Sequence, residues 1–391
     1  MTIFNDRFSI VAPINLGIVG GGQLGKMLAM EAKRMNMKVV ILDPNLECPA
    51  SSIADKVIVG SFSDAEKIYE LSKDVDIITY EIELANSTAL EDLEKKNFSV
   101  YPSPNILKII QNKYRQKKFL LENGINVPKF DLIVSESQLE KLCMEYGFPI
   151  MLKACEDSYD GRGNFLINNK DQIKTAFSHF RNRQCMIEEY IPFKKELSIM
   201  IAKNPSGDIS AFPVAENIHK DNILYLTMVP AQITKDIEVK ANSLAIKTIQ
   251  ALNGVGIFGI EMFVDKNDNV LVNEIAPRPH NSGHYSIESC SISQFEQHIR
   301  AILNYPIPKP KLISSAVMVN LLGPKNEKGI YEVTGIDRLF SINGVKLHIY
   351  GKKNTQYHRK LGHVTVLLND DENPLRVAEE ITKIVNISEI N

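Results

Sequence analysis

Glu261 in "FGIEMFVD" and Glu274 in "VLVNEIA" each stand inside an apolar run that reads as a strand, and the two strands are expected to be neighbours. A carboxylate in such a run needs a partner, because burying an unpaired charge is prohibitive. With Asn273 beside Glu274, the set is two acids and an amide. These are oxygen ligands of the kind Mg²⁺ takes while keeping waters and bridging to substrate phosphates. Buried acids satisfied by Arg or Lys are the competing reading, and the amide tilts the balance towards metal. The stretch that follows, "APRPHNSGHYSIESC", holds an arginine, two histidines, an asparagine and several serines. A chain that only had to leave a strand would use one or two turn residues.

Two more stretches carry possible phosphate or nucleotide chemistry. "IMLKACEDSYDGRGNFLI" places Lys153 on one strand and Gly161, Arg162 and Gly163 before the next. A lysine facing a loop of mobile backbone N–H donors can clamp a phosphate. A plain hairpin at "DGRG" competes, although the loop is longer than a minimal hairpin connection and also carries Tyr159 and Asp160. In "CMIEEYIPFKKELSI" the segment Glu188, Glu189, Tyr190, Ile191 can offer backbone donors and acceptors to an adenine edge. Glu196 can accept from ribose hydroxyls. Taken alone, glutamates among lysines are more simply a solvated surface.

The elements that must position these groups fall into distinct regions. The first third alternates strands ("INLGIVG", "KVVILD", "KVIVG", "VDIITYE") with helical segments, which implies a parallel sheet covered by helices. "VYPSPN" ends it. "ILKIIQNKYRQKKFLLENG" reads as one helix stopped at Gly124. A strand-dominated α+β region follows, with helices at Ser135–Tyr146, Lys170–His179 and Ile237–Leu252. "ISAFPVAEN" reads as one strand. "ISQFEQHIRAILNY" is helical, "PIPKPK" reads as a linker, and the rest is a small β unit ending in a helix.

Composition excludes several classes. The 391 residues carry 45 Lys and Arg against 47 Asp and Glu, a net charge of −2, so nothing favours nucleic acid or an anionic membrane. No apolar run has the length of a bilayer span. Five scattered cysteines without a CxxC pair fit a reduced, cytoplasmic setting. The glycines of "GIVGGGQLG" (Gly20, Gly22, Gly25), with Asp43 ending the next strand, match the dinucleotide fingerprint. The physical content is narrower: a tight turn and a helix N-terminus that suits any anion, or no ligand at all. Nothing downstream looks like a hydride-transfer domain, so NAD is not expected.

Together these motifs carry a family resemblance. Lys153, the glycine loop, "EEYI", Glu196, Glu261 and Asn273–Glu274 occur in the order of the ATP-grasp fold. "NEIAPRPHNSGHYSIESCSISQFEQH", with "GIVGGGQLGKML", "SYDGRGN" and "RKLGHVTV", resembles the 5-(carboxyamino)imidazole ribonucleotide synthases of purine biosynthesis over nearly the whole chain. The resemblance implies an N-terminal Rossmann-like domain over 1–112. It implies an ATP-grasp domain over 113–306, with a mobile lid at about 125–190, and a C-terminal β-rich domain over 307–391. The implied reaction is ATP-dependent carboxylation of aminoimidazole ribonucleotide with bicarbonate through carboxyphosphate.

The same resemblance assigns residues. Two Mg²⁺ would be held by Glu261 and Glu274. ATP would lie against Lys113, Lys153, Asp157, Ser158, Tyr159, Asp160, Gly161, Arg162, Gly163, Glu188 to Ile191, Glu196, His219, Asn273 and Glu274. Arg278, His280 and Asn281, with Asp160, would be catalytic, and Ser282 would help bind bicarbonate or carboxylate oxygens. Tyr159 and Arg162 would close over the ribotide, Gln23 and Glu81 would reach it from the first domain, and Lys352, Arg359 and Lys360 would hold its phosphate. A cytoplasmic homodimer is implied, with no nucleic-acid or membrane partner.

The chain departs from the family pattern in places. Asp157 and Ser158 replace two glycines, and Asn164 replaces a glutamine. Asn112–Lys113 replaces Asp–Arg, which loses a bidentate fork, and Leu84 replaces an asparagine. Two alternatives therefore stand beside the main expectation. One is a formate-dependent glycinamide ribonucleotide transformylase; the other is a nucleotide-binding homologue with little catalysis.

Overall fold

The computed structural model describes residues 14–156, 163–181 and 183–390. They form two compact units, 1–101 and 102–391. Among the described residues of the first, five parallel strands are ordered Lys56–Val59, Lys38–Asp43, Asn15–Val19, Ile77–Tyr80, Ser99–Val100. The central strands are buried nearly throughout, as strands covered on both faces must be. Helices Gln23–Arg34, Ala65–Ser72 and Ser87–Lys95 connect them. Asp64 and Asn86 cap the last two with their side chains.

The second unit holds two larger sheets. The smaller is antiparallel, ordered Phe130–Ile133, Cys185–Glu189, Ile150–Ala154, Asn164–Ile167. Helices Glu136–Tyr146 and Ile173–His179 share its core through Leu139, Cys143, Ile173 and Ala176. The larger sheet contains nine strands among the described residues. Its main path runs Val270–Ala276, Gly256–Val264, Lys195–Lys203, Ala215–Lys220, Ile223–Val229, Ala316–Leu322, Lys360–Leu367, Val345–Ile349. Alternation divides its faces. Leu197, Ile199 and Ile201 pack with Ile237, Ala241 and Ile249 of helix Lys235–Leu252. Met200 and Ala202 belong to a separate core with Ile257, Tyr285 and Ala301. Glu196, Ser198 and Glu261 lie on this second face by the same period, so these two carboxylates stand opposite the long helix.

Three expectations are corrected. The helix over "ILKIIQNKYRQKKFLLENG" is two, Pro104–Ile110 and Lys113–Glu122. Asn112 breaks it, because its side chain accepts the Arg115 N–H and starts a new helix. "ISAFPVAEN" is likewise two strands, Ile209–Ala211 and Ala215–Lys220, divided at Pro213, which has no N–H to give a ladder. The C-terminal strands form the expected β unit and also extend the large sheet, since Ala316–Leu322 pairs with Ile223–Val229. The described chain also runs past its last helix into strand Asn386–Glu389, paired with Tyr331–Thr334. The linker "PIPKPK" is held against the fold, since Ser210 Oγ and Gln297 Nε2 both donate to the Pro308 carbonyl at 3.0 Å.

Candidate active site

The glycine turn is closed by contacts within the first unit. Gly20 has φ +105°, a conformation that suits glycine. Gly21 N–H donates to Asp43 Oδ2 at 2.9 Å, and Gly22 N–H donates to Glu81 Oε1 at 2.6 Å. A Cβ on Gly22 would stand 2.7 Å from that same oxygen. The helix N-terminus that could have received an external anion is thus met by the chain's own Glu81. Asp43, the fingerprint's ribose acid, is spent on the turn. Gln23 is the first residue of the helix.

In the second unit, the strands Gly256–Val264 and Val270–Ala276 place Glu261 directly opposite Glu274. The register skips Asn273, which is the bulged residue, so both acids share one face with Asn273 between them in sequence. Lys113 Nζ lies 2.7 Å from Glu274 Oε1. Burial works against the Glu274 charge, yet Lys113 beside it holds its pKa below the usual range. Burial likewise works to lower Lys113, and Glu274, Glu188 and Glu261 carry it above its ordinary value instead. Glu261 differs. Burial, with Glu274 and Glu196 nearby, pushes it up to about 7 against the opposing influence of His219 and Lys360. Glu196 is committed to His219, whose Nδ1 lies 2.6 Å from its Oε2. Burial opposes the His219 charge, but the Glu196 contact raises its pKa.

Lys153 and Glu188 also come together. Glu188 is 2% exposed. It pairs through one oxygen with Lys153 and through the other with Lys117 at 3.0 Å. Burial opposes its charge, but the two lysines bring it down to about 2. Its carboxylate is therefore turned inward, which leaves the backbone of Glu188–Ile191 as the part of this stretch that can meet an adenine. Tyr190 is 39% exposed and Glu189 is exposed. Asp157, Ser158, Tyr159, Asp160, Gly161 and Arg162 lie outside the described residues; Gly163 accepts the Ala154 N–H through its carbonyl.

Beyond Glu274 the chain turns back over the same face. His280 Nε2 is 3.7 Å from Glu261 Oε1. His280 Nδ1 receives the Ser282 N–H at 3.4 Å and lies 2.8 Å from the Ser282 hydroxyl. An accepting Nδ1 leaves the proton on Nε2, so the ring presents a donor to the site. Burial, then Arg278, Lys360 and two neighbouring histidines, hold its pKa well below the ordinary value. The backbone of His280 is gripped by Gln294, whose Oε1 accepts its N–H at 2.9 Å and whose Nε2 donates to its carbonyl at 2.8 Å. Asn281 exchanges both halves of its amide with Asn320, at 3.0 and 2.8 Å. Arg278 Nη1 donates to the Pro279 carbonyl at 3.0 Å.

Of the three C-terminal cations, Lys360 begins the strand beside Ala316–Leu322 and acts electrostatically on Glu261, His219 and His280. Arg359 Nη1 donates to the Asn354 carbonyl, and Lys352 Nζ lies 5.7 Å from the Tyr350 ring centre. Among the described residues no group of three His, Cys, Asp or Glu is arranged to hold a metal. Two carboxylates, one of them raised to about 7 by burial and then by the acids beside it, nonetheless suit a cation that takes its remaining ligands from phosphate and water. Sequence reasoning missed Gln116, Lys117, Gln294 and Asn320. The i+3 and i+4 spacing of Gln116 and Lys117 from Lys113 was the available signal.

Known proteins align with this arrangement. Residues 14–111 match the ribonucleotide synthetase preATP-grasp domain, 118–295 the ATP-grasp domain, and 316–376 the phosphoribosylaminoimidazole carboxylase C-terminal domain. N5-carboxyaminoimidazole ribonucleotide synthase of Bacillus subtilis is 40% identical over 358 residues, 91% of this chain and 92% of that protein. The chain belongs to the N5-carboxyaminoimidazole ribonucleotide synthase family. Within that family, the crystal structure of the Thermotoga maritima synthetase has a TM-score of 0.89 and 43% identity, covering 96% of this chain and all of that one. The Aspergillus clavatus synthase, solved with ADP and 5-aminoimidazole ribonucleotide, has a TM-score of 0.88 and 33% identity over 95% of this chain and 98% of its own.

Proposed function

We propose that the chain carboxylates 5-aminoimidazole ribonucleotide with bicarbonate, at the expense of ATP, to give 5-carboxyaminoimidazole ribonucleotide, ADP and phosphate. The observation that carries this is the run from Glu274 to Ser282. It begins in an acid pair able to hold a metal against phosphates and ends in a cationic and hydrogen-bonding turn on the same face. Glu261 and Glu274 would hold Mg²⁺, which would neutralise charge on the transferring phosphoryl group when bound. Lys153 and Lys113 add positive charge at the phosphate side, and the backbone of Glu188–Ile191 receives the adenine. Arg278 offers a planar fork to a small dianion such as carboxyphosphate. His280, protonated on Nε2, donates to carboxylate oxygens, a role its geometry supports better than taking the amine proton. Asn281 and Ser282 act by holding this turn in shape, and Lys360 is the cation best placed for the acidic end of the site.

The proposal extends to the less local expectations. It takes 113–306 as the ATP-grasp domain, a cytoplasmic setting and a homodimer. No helix among the described residues is long and apolar enough to cross a membrane. The test is phosphate release from ATP with each substrate omitted in turn. Release is expected to need both the ribotide and bicarbonate. Full release without the ribotide overturns the reading, and dependence on formate and glycinamide ribonucleotide would replace it with the transformylase.

A further inference from the structure

Helix Lys113–Glu122 turns three consecutive-turn residues to one side, at i, i+3 and i+4. Lys113 reaches the Glu274 carboxylate. Gln116 accepts the Ile275 N–H at 3.0 Å and donates to the Ile275 carbonyl at 3.4 Å. Lys117 donates to the Val272 carbonyl at 3.3 Å and pairs with Glu188. One helix face is thereby stitched to the strand bearing Asn273–Glu274 and to the sheet bearing Lys153. We propose that Lys117 is a positioning residue for nucleotide binding: it holds the buried Glu188 carboxylate and so leaves the Lys153 ammonium available to the ATP phosphates.

Charge balance carries the point. The Glu188 side chain is 3% exposed, so its charge must be answered in place. Lys117 is equally buried, at 3%, and has no route to a ligand. Lys153 is the more open of the two, at 13%. Two ammonium groups on one carboxylate leave a net positive charge, and the geometry presents it through Lys153. Without Lys117, Glu188 has Lys153 as its single ammonium partner, and in a poorly solvated site that pairing competes with a phosphate. Burial brings Lys117 down to about 8 despite Glu188, which still leaves it mostly charged at neutral pH.

The proposal rests on reading Lys153 as a phosphate-binding cation, and the experiment separates the two. Steady-state kinetics are measured on the full chain for wild type, K117M, K153M and the double variant K117M/E188Q, varying ATP, ribotide and bicarbonate in turn. K117M is expected to raise KM for ATP about tenfold with kcat within about threefold and the other two KM values unchanged. The double variant, which removes both members of the buried pair, is expected to regain most of that loss. An equal rise in all three KM values, an unchanged KM for ATP in K117M, or a double variant as poor as K117M overturns the role of Lys117. If K117M shows no cooperative melt, the double variant decides alone: KM for ATP within about threefold of wild type supports the role, and a rise of about tenfold overturns it. K153M is the separate control. If it leaves KM for ATP unchanged, the reading of Lys153 itself falls, and the proposal falls with it.

Discussion

At the scale of single residues, the site turns on which carboxylates are answered and which are not. Glu188 has two lysines, Glu274 has Lys113, and Glu261 is left leaning on His280 at 3.7 Å with its pKa raised to about 7. Glu274→Gln removes one of two metal-ligand candidates without changing shape. It is expected to lower kcat by about 10²- to 10³-fold while the melting transition stays in place. Phosphate release and circular dichroism check both halves, and near-normal turnover would remove Glu274 from the ligand set. Asn320→Ala is expected to cost about 1–3 kcal/mol in urea unfolding, because it leaves the buried Asn281 amide without its partner. The acids were legible in the sequence because a charge inside an apolar strand announces itself locally. Asn320 was not, since an amide in "VMVNLLG" looks the same whether or not another amide meets it across the fold.

At the scale of elements, local pattern carried most of the secondary structure and failed where tertiary contacts broke it. Apolar spacing runs on through Gln111–Asn112, so periodicity alone predicts one helix there. The break is made by Asn112, which caps the second helix and also donates to Glu156 Oε1 at 2.8 Å and Gln184 Oε1 at 3.1 Å. Asn112→Ala is therefore expected to cost about 1–2 kcal/mol, at the upper end for a cap, in a denaturant titration. A cost near zero would mean that the cap does not define this break. The glycine turn shows the reverse relation. Its spacing implies a tight strand-to-helix turn, but only the fold reveals that Glu81 accepts the Gly22 N–H and Asp43 the Gly21 N–H.

At the scale of the whole molecule, the second unit keeps several histidines neutral in its core, and this sets its behaviour in acid. His284, His298 and His363 are all 0% exposed. Burial holds His284 and His363 well below their ordinary value, with like-charged neighbours adding to the effect, and burial alone holds His298 at about 3. His298 Nδ1 accepts the Ile257 N–H at 3.0 Å, which fixes its neutral form. Below about pH 6.5 the unfolded chain takes up protons that the folded one refuses, so stability is lost as pH falls, by up to about 1.4 kcal/mol per pH unit for each such histidine. Urea midpoints at pH 7 and pH 5 should therefore differ strongly, and His298→Asn should reduce the difference by about one histidine's share. An identical drop in that variant would remove His298 from the account. The sequence by itself determined which residues can do chemistry, their order along the chain and the kind of element carrying each, because strand, turn and side-chain type are written locally. Only the tertiary structure decided the charge partners, which acid is neutralised and which turn is covered. Those depend on distances of a few ångströms between groups as far apart in sequence as Lys113 and Glu274, 161 positions from one another. Coulomb energy follows that through-space separation and not the count of residues between.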